Sequence, residues 1–215
     1  MSNCKICGHP AITYKHPRFD MTFHECEHCE FIYKDDSHRL SYDEEFSAYN
    51  RHQNSEQNMG YVNFLTNFID AAIMPYIQKG DVLDFGSGPN PVLAKIMKEQ
   101  YLFNVDIYDI FYAPKKIYEN KTYDLITSTE VIEHLSQPVE VIKVMVDHLK
   151  PGGYLSMMTL FHPKDRKAFF EWFYIRDITH LCFYTPKTLE YIAKRLNVEV
   201  VYTNEYRYIV LKKTT

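Results

Sequence analysis

Val82-Leu83-Asp84-Phe85-Gly86-Ser87-Gly88-Pro89-Asn90-Pro91 is the stretch whose reading decides the fold. Its first four residues predict a strand and its two glycines a loop. Asn90 and Pro91 then suit an N-cap and a first helical position. A strand that passes through a glycine loop into a helix opens a doubly wound α/β sheet. A dinucleotide loop would need a third glycine where this chain has Pro91, and no Gly-Lys-Ser/Thr follows to make a phosphate loop. What remains is an acid, Asp84, two residues before Gly-x-Gly. A carboxylate there repels a pyrophosphate and suits an ammonium or cationic sulfur, while Gly86 and Gly88 admit close backbone approach.

Outward from that stretch, strands and helices alternate. Apolar runs predict strands over 82–85, 103–108, 125–128, 154–159, 198–203 and 206–211, with helices over 91–99, 139–149 and 186–195 between them. Most of the strands are apolar on both faces, as in a sheet covered by helices on both sides. The last two are too close in sequence for a crossover, so they form an antiparallel hairpin. An acid at the end of the second strand holds a ribose diol in such folds. Asp109, at the strand exit, is the first candidate and Asp106 the reserve.

Three runs together resemble a family: Val82-Leu-Asp84-Phe-Gly86-Ser-Gly88, Tyr123-Asp124-Leu-Ile-Thr-Ser-Thr-Glu130-Val-Ile-Glu133-His134-Leu, and Leu149-Lys-Pro151-Gly152-Gly153-Tyr-Leu. In order and spacing they are similar to the motifs of class I S-adenosylmethionine-dependent methyltransferases. The resemblance implies a Rossmann-like seven-stranded sheet with a reversed terminal hairpin strand and S-adenosyl-L-methionine over the carboxyl ends of its strands. By the same match, Asp84, Gly86 and Gly88 hold the methionine portion and Asp109 the ribose, while Ser128, Thr129 and Glu130 line the ligand and the reaction site. Two departures stand out. Asn90 replaces the familiar third loop glycine, and the stretch 110–122 is short, so the usual second helix and third strand must be abbreviated. Phe111 and Tyr112 are adenine candidates by proximity. A narrower resemblance, to small uncharacterised bacterial methyltransferases with an amino-terminal zinc ribbon, extends over almost the whole chain.

Four of the five cysteines fall in the first thirty residues, as Cys4-Lys-Ile-Cys7 and Cys26-Glu-His-Cys29. Two C-x-x-C turns at this separation present four thiolates to one centre, the spacing of a zinc ribbon. Disulfides are disfavoured in the reducing compartment expected here. Short strands are predicted over 11–14 and 21–24. Helices follow over 41–52 and 61–77, the second with a clear apolar face. The expected organisation is a zinc ribbon over 1–36, a helical lead-in or lid over 37–80, and the S-adenosylmethionine-binding core over 81–215. Tyr42, Tyr49, His52 and Tyr61 in the lead-in are equally suited to touching substrate or to packing.

Composition narrows the function classes. With 24 basic and 28 acidic residues the net charge is −4, which argues against a protein held to nucleic acid by bulk charge. No apolar run is long enough to span a membrane, and the amino terminus lacks the apolar stretch of a signal peptide, so a cytoplasmic protein without membrane contact is expected. Methyl transfer needs a base only where the nucleophile carries a proton. Candidates by position are Glu133, His134, His162, Asp177 and His180. The preferred set is His180, its tautomer fixed by Asp177, with His134 as understudy. Trp172, Tyr174 and Phe183 are expected to wall a small-molecule pocket. The run Glu130-Val-Ile-Glu133-His134 also resembles one in quinone-ring O-methyltransferases, which implies a minor alternative in which both acids chelate Mg²⁺. The expected function is therefore methyl transfer to a small-molecule acceptor. The alternatives are a zinc-ribbon RNA methyltransferase, for which Lys5, Lys15 and Arg18 supply the basic cluster, and a non-catalytic binding protein with this fold.

Overall fold

A computed structural model describes residues 2–50 and 55–214. His52 therefore lies outside the described residues. The chain begins with β1 (Ser2–Asn3), β2 (Pro10–Lys15), β3 (Thr22–Cys26) and β4 (Phe31–Lys34), then α1 (Tyr42–Tyr49) and α2 (Met59–Ala72). The alternation follows as β5 (Asp81–Phe85), α3 (Val92–Gln100), β6 (Asn104–Tyr108), β7 (Tyr123–Thr129), α4 (Pro138–Asp147) and β8 (Leu149–Met158). It closes with α5 (Arg166–Glu171), β9 (Cys182–Phe183), α6 (Pro186–Arg195), β10 (Val198–Thr203) and β11 (Tyr208–Lys213).

The main sheet has the order β10-β11-β8-β7-β5-β6. Its members from β6 to β8 are parallel, and β11 runs antiparallel to both β8 and β10. Adjacent residues of each strand face opposite layers. Val82, Leu125, Met158 and Val210 pack with α2 and α3, while Leu83, Ile126, Met157 and Ile209 pack with α4 and α6. Burial on both faces is why these strands read as continuous apolar runs.

Among the described residues this sheet has six strands, not the seven the resemblance implies. Between β6 and β7 the chain forms only an isolated bridge, Asp109 to Ala113, followed by turns. Two local readings also change. Pro91, not Asn90, is the N-cap of α3, with no side-chain cap bond. α4 begins at Pro138, one residue before the expected 139, after a short 3₁₀ turn over Ile132–His134.

The amino-terminal strands form a second sheet, β1-β2-β3-β4-β9, whose last member comes from far along the chain. In it, Ile32 pairs with Phe183 and Tyr33 with Cys182. A third apolar cluster of Phe23, Ile32, Leu160, Phe169, Tyr174, Ile175 and Phe183 fills the space beneath this junction. No described helix is long and apolar enough to cross a membrane.

Candidate active site

The carboxyl ends of the parallel strands open into a cleft of about 1170 Å³. Its floor is the glycine loop. Gly86 and Ser87 donate their backbone N–H groups to the Tyr108 carbonyl at 2.7 and 3.2 Å, and Gly88 donates to Asp109 Oδ2 at 2.9 Å. Gly86 has φ +86°, and a Cβ there would sit 2.3 Å from Val131 Cγ2, so the loop passes the chain after β7 too closely for any side chain. Gly88 has φ +67°, but a Cβ there would meet nothing within 4 Å. That open space faces the cleft and is where a ligand backbone can lie.

Asp84 ends 1% exposed at the tip of β5, with one hydrogen bond, from Thr127 Oγ1 at 3.1 Å. Burial pushes its carboxyl up to about 7, the Asp109 charge adds to the rise, and the Thr127 bond opposes it. Asp109 Oδ1 accepts from the backbone N–H groups of Phe111 and Tyr112 at 2.9 and 3.0 Å. With Gly88 on Oδ2, the carboxylate organises the loop and keeps one lone pair on Oδ2 for a ligand hydroxyl. The reserve, Asp106, is bound by Lys121 Nζ and Tyr123 Oη, each at 2.8 Å, and does not line the cleft.

Of the three residues expected after β7, Thr129 and Glu130 line the cleft, but Ser128 does not. Ser128 is fully buried, because strand alternation turns it to the face opposite Thr127 and Thr129. Glu130 has φ +53°, an uncommon conformation for a side-chain-bearing residue, and burial pushes its carboxyl up. The hydroxyl of Tyr174 bridges it to Glu133, donating to Glu130 Oε2 at 3.2 Å and in a shorter bond to Glu133 Oε1. Glu133 is fully buried, and desolvation together with the Glu130 charge pushes it up to about 8. The Tyr174 hydroxyl between the two acids leaves no shared Mg²⁺ chelate of the kind the Glu-x-x-Glu-His run implies.

His134, Asp177 and His180 all line the cleft, and the two imidazoles meet edge to face with centroids 4.7 Å apart. Nδ1 of His180 donates to the Tyr174 carbonyl at 2.9 Å, and Nδ1 of His134 to the Thr179 carbonyl at 3.2 Å. The tautomer of His180 is thus fixed by a backbone carbonyl and not, as the spacing suggests, by Asp177. Asp177 Oδ2 stands 3.8 Å from His180 Nε2, on the other side of the ring, and Oδ1 accepts from Thr179 N and Oγ1 at 2.8 and 2.6 Å. His162 is not in the cleft, and its two nitrogens face the Glu30 and Pro163 carbonyls at 2.8 and 3.0 Å. Trp172 and Phe183 do not wall the cleft either: both pack in the cluster beneath the second sheet. Tyr174 does line it, and Lys34, absent from the sequence-level candidates, supports it from behind. Lys34 is 4% exposed and donates Nζ to the Asp177 carbonyl at 2.8 Å.

Opposite the histidines, α1 closes the cleft. Tyr42, Phe46 and Tyr49 pack on Phe111 with ring centroids 4.8, 5.6 and 5.4 Å apart, and Tyr49 also meets His134 at 5.2 Å. Tyr61, from α2, completes this wall beside Asp84 and Glu130.

Away from the cleft, Sγ atoms of Cys4, Cys7, Cys26 and Cys29 all lie within 4.8 Å of one another, with no disulfide. The Cys4–Cys29 and Cys7–Cys26 pairs are 3.5 and 3.4 Å apart. A tetrahedral zinc shell with bonds of about 2.3 Å has sulfur–sulfur edges of about 3.8 Å, so the cluster needs little expansion to hold one ion. The hydrogen bond between Cys4 and Cys29 lowers the Cys4 thiol and raises the Cys29 thiol.

No curated protein gives a significant match to the chain. Among solved structures it is similar to mitomycin 7-O-methyltransferase, with a TM-score of 0.56, 9% identity, and coverage of 79% of this chain and 60% of that one. It is similar to Haemonchus contortus phosphoethanolamine N-methyltransferase 2, solved with S-adenosyl-L-methionine, with a TM-score of 0.55, 12% identity, and coverage of 82% and 60%. An O-methyltransferase family protein from Burkholderia thailandensis gives a TM-score of 0.50, 13% identity, and coverage of 74% and 57%. The matched region is thus less than two thirds of each of these chains, and at such identities the likeness is one of fold. Residues 51–203 match the family model described as a methyltransferase domain, and the chain belongs to that family.

Proposed function

We propose that the protein transfers a methyl group from S-adenosyl-L-methionine to a small-molecule acceptor. The observation that carries this is the cradle at the end of β5. There a buried acid, two positive-φ glycines and a second acid at the end of β6 surround open space that a Cβ on Gly88 would invade. Asp84 and the loop meet the methionine portion, Asp109 the ribose through its remaining lone pair, and the Phe111 side of the cleft the adenine. Thr129 and Glu130 lie beside the sulfonium. Its activated methyl supplies the chemistry, and the protein's part is to orient the nucleophile in line and exclude water. His134, Asp177 and His180 are the polar edge that meets the acceptor and its proton. We also propose one structural Zn²⁺ on Cys4, Cys7, Cys26 and Cys29, with no position open for catalysis.

The RNA reading has less support. Of its basic cluster, Lys5 is paired with Asp36 at 2.7 Å and Arg18 with Glu171 at 2.7 Å. The binding-only reading shares the cradle and is separated from the enzyme by turnover on a metabolite panel. Isothermal titration of S-adenosylhomocysteine into the purified protein tests the cofactor assignment, with binding in the micromolar range or tighter expected. Absence of binding by wild type overturns it. His180→Ala is expected to lower turnover by about 10²–10⁴-fold with cofactor affinity nearly unchanged.

A further inference from the structure

Asp84 and Glu130 are acids of the cleft with one hydrogen bond each, from Thr127 and from Tyr174. Oε1 of Glu130 is buried and has no hydrogen-bond partner, and among the described residues no basic side chain forms an ion pair with this acid. Arg207 acts on it only from a distance, because its guanidinium lies over the rings of Phe64 and Tyr206, 4.9 and 5.0 Å from their centroids. The Tyr174 hydroxyl has one hydrogen for the two carboxyl oxygens it meets, so the second contact needs a proton on one of the acids. Burial and the Glu130 charge keep that proton on Glu133, which is fully buried. Glu130 is left as the charged member of the pair. A buried carboxylate oxygen without a partner costs free energy that a bound cation recovers. Glu130 lines the cleft, so that cation can come from a bound molecule.

We propose that the methyl acceptor is an amine, bound as its ammonium with the nitrogen on the Glu130 carboxylate. This inference rests on the methyl-transfer reading of the cleft and gives the acceptor a chemical class. The ammonium of the cofactor is matched by Asp84 and does not account for a second acid. Nor does the sulfonium: its charge is lost during transfer, and a carboxylate aimed at it alone would hold back the reactants. An amine needs such a group twice, as the carboxylate that holds its ammonium and as the base that takes a proton before attack. Tyr61 and Tyr174 line the cleft beside Glu130 and supply the aromatic surface on which small organic cations rest. An ammonium has no lone pair, so it first gives one proton to Glu130. The freed lone pair then forms the N–CH₃ bond as the S–CH₃ bond breaks. The sulfonium becomes a neutral thioether, and the methylated nitrogen carries the positive charge away. The proton on Glu130 leaves to bulk water after the product.

The experiment is isothermal titration of benzylamine and of its neutral isostere, benzyl alcohol, into the full chain saturated with S-adenosylhomocysteine at neutral pH, for wild type and Glu130→Gln. Wild type should bind the amine about 10–100-fold more tightly than the alcohol, the worth of one charge-assisted hydrogen bond in a buried site. Glu130→Gln should erase that preference while it still binds S-adenosylhomocysteine. Equal affinities in wild type, or no binding of the amine, overturn the proposal, and this comparison decides even where Glu130→Gln fails to fold. A preference that survives in folded Glu130→Gln overturns it as well. No preference in wild type, together with weaker S-adenosylmethionine binding by Glu130→Gln, assigns the acid to the sulfonium instead. S-adenosylhomocysteine binding without an amine preference defeats the amine site alone, and an amine preference in a protein that never binds S-adenosylhomocysteine defeats the methyl-transfer reading.

Discussion

Asp84→Asn tests what the ligand cradle costs the empty protein. Asp84 is 1% exposed and has a single hydrogen bond, from Thr127. Burial raises its carboxyl from 3.8 to about 7 in the folded state. A raised acid makes the folded protein bind the proton more tightly than the unfolded chain does. Stability from this group is therefore complete below about pH 4 and is lost as the pH rises to about 7. Three pH units at about 1.4 kcal/mol each put the loss near 4 kcal/mol at pH 8. Asparagine keeps the shape and the Thr127 bond and carries no charge, but its buried NH₂ has no partner, at a cost of about 1–3 kcal/mol. The ligand-free variant should thus be more stable than wild type by about 1–3 kcal/mol at pH 8, or roughly 2–10 °C in Tm. At pH 5 the advantage should vanish or reverse. Titration of S-adenosylhomocysteine at pH 8 should show affinity reduced by about 10–100-fold, the loss of one charge-assisted hydrogen bond. Melts of both proteins at pH 5, 6, 7 and 8 are the assay. A wild-type-to-variant difference that does not change with pH refutes the buried carboxylate, whatever happens to binding.

The glycine loop gives a paired contrast in thermal melts. Gly88→Ala should cost about 1–2 kcal/mol for its positive φ, whereas Gly86→Ala should cost about 2–5 kcal/mol because its Cβ also collides with Val131. Both should bind S-adenosylhomocysteine poorly, and a Gly86→Ala protein that melts no lower than Gly88→Ala contradicts the close approach. Lys34→Met keeps the packing but drops the bond to the Asp177 carbonyl; kcat should fall about 10–100-fold with little change in cofactor Kd, and an unchanged kcat removes Lys34 from the support of the site. Cys26→Ser should lower zinc content by one per chain and reduce Tm, and a zinc content equal to wild type ends the cysteine-shell reading.

How far the sequence carries depends on whether a feature is local. β10 and α6 lie where the periodicity places them, over 198–203 and 186–195, because each has its own strand or helix period and a clear start in Thr185-Pro186. β8 begins at Leu149, well before the expected 154, because Lys150-Pro151-Gly152-Gly153 reads as a turn and is nevertheless paired or continued as strand beside β7. The acid and glycines of the cradle were legible for a similar reason: they sit in ten consecutive residues. Ser128 was misplaced by one step of strand alternation, which sequence resolves only once the register is known. The partners of the histidines were not legible at all. The Tyr174 carbonyl on His180 and the Thr179 carbonyl on His134 are backbone contacts with no side-chain signature. Nor does a two-residue strand, Cys182–Phe183, announce that its neighbour lies in the first thirty-four residues.

That last pairing bears on what the cysteine cluster is for. The knuckle Cys26–Cys29 leads directly into β4, and β4 pairs with β9 just after the loop that carries Asp177 and His180. Lys34 fastens this loop at two points, its N–H to the Leu181 carbonyl at 2.8 Å and its Nζ to the Asp177 carbonyl. Leu181 N–H in turn donates to the Glu133 carbonyl at 2.7 Å, which joins the two segments that supply the histidines. From the other side, α6 reaches the cysteines themselves. Thr188 Oγ1 donates to the Cys29 carbonyl at 2.9 Å, and Arg195 to the Ile6 carbonyl at 3.0 Å. A docking arm for a large partner would need to move independently of the core, yet moving these strands would pull out one wall of the cleft. The physical role that fits is a brace. With the proposed Zn²⁺ in place, cross-linking the two C-x-x-C turns through one ion would remove freedom from the short strands between them. Rigidity supplied by that proposed ion at Cys26–Cys29 would pass along β4 to a loop whose carbonyls hold His180 and His134 in place.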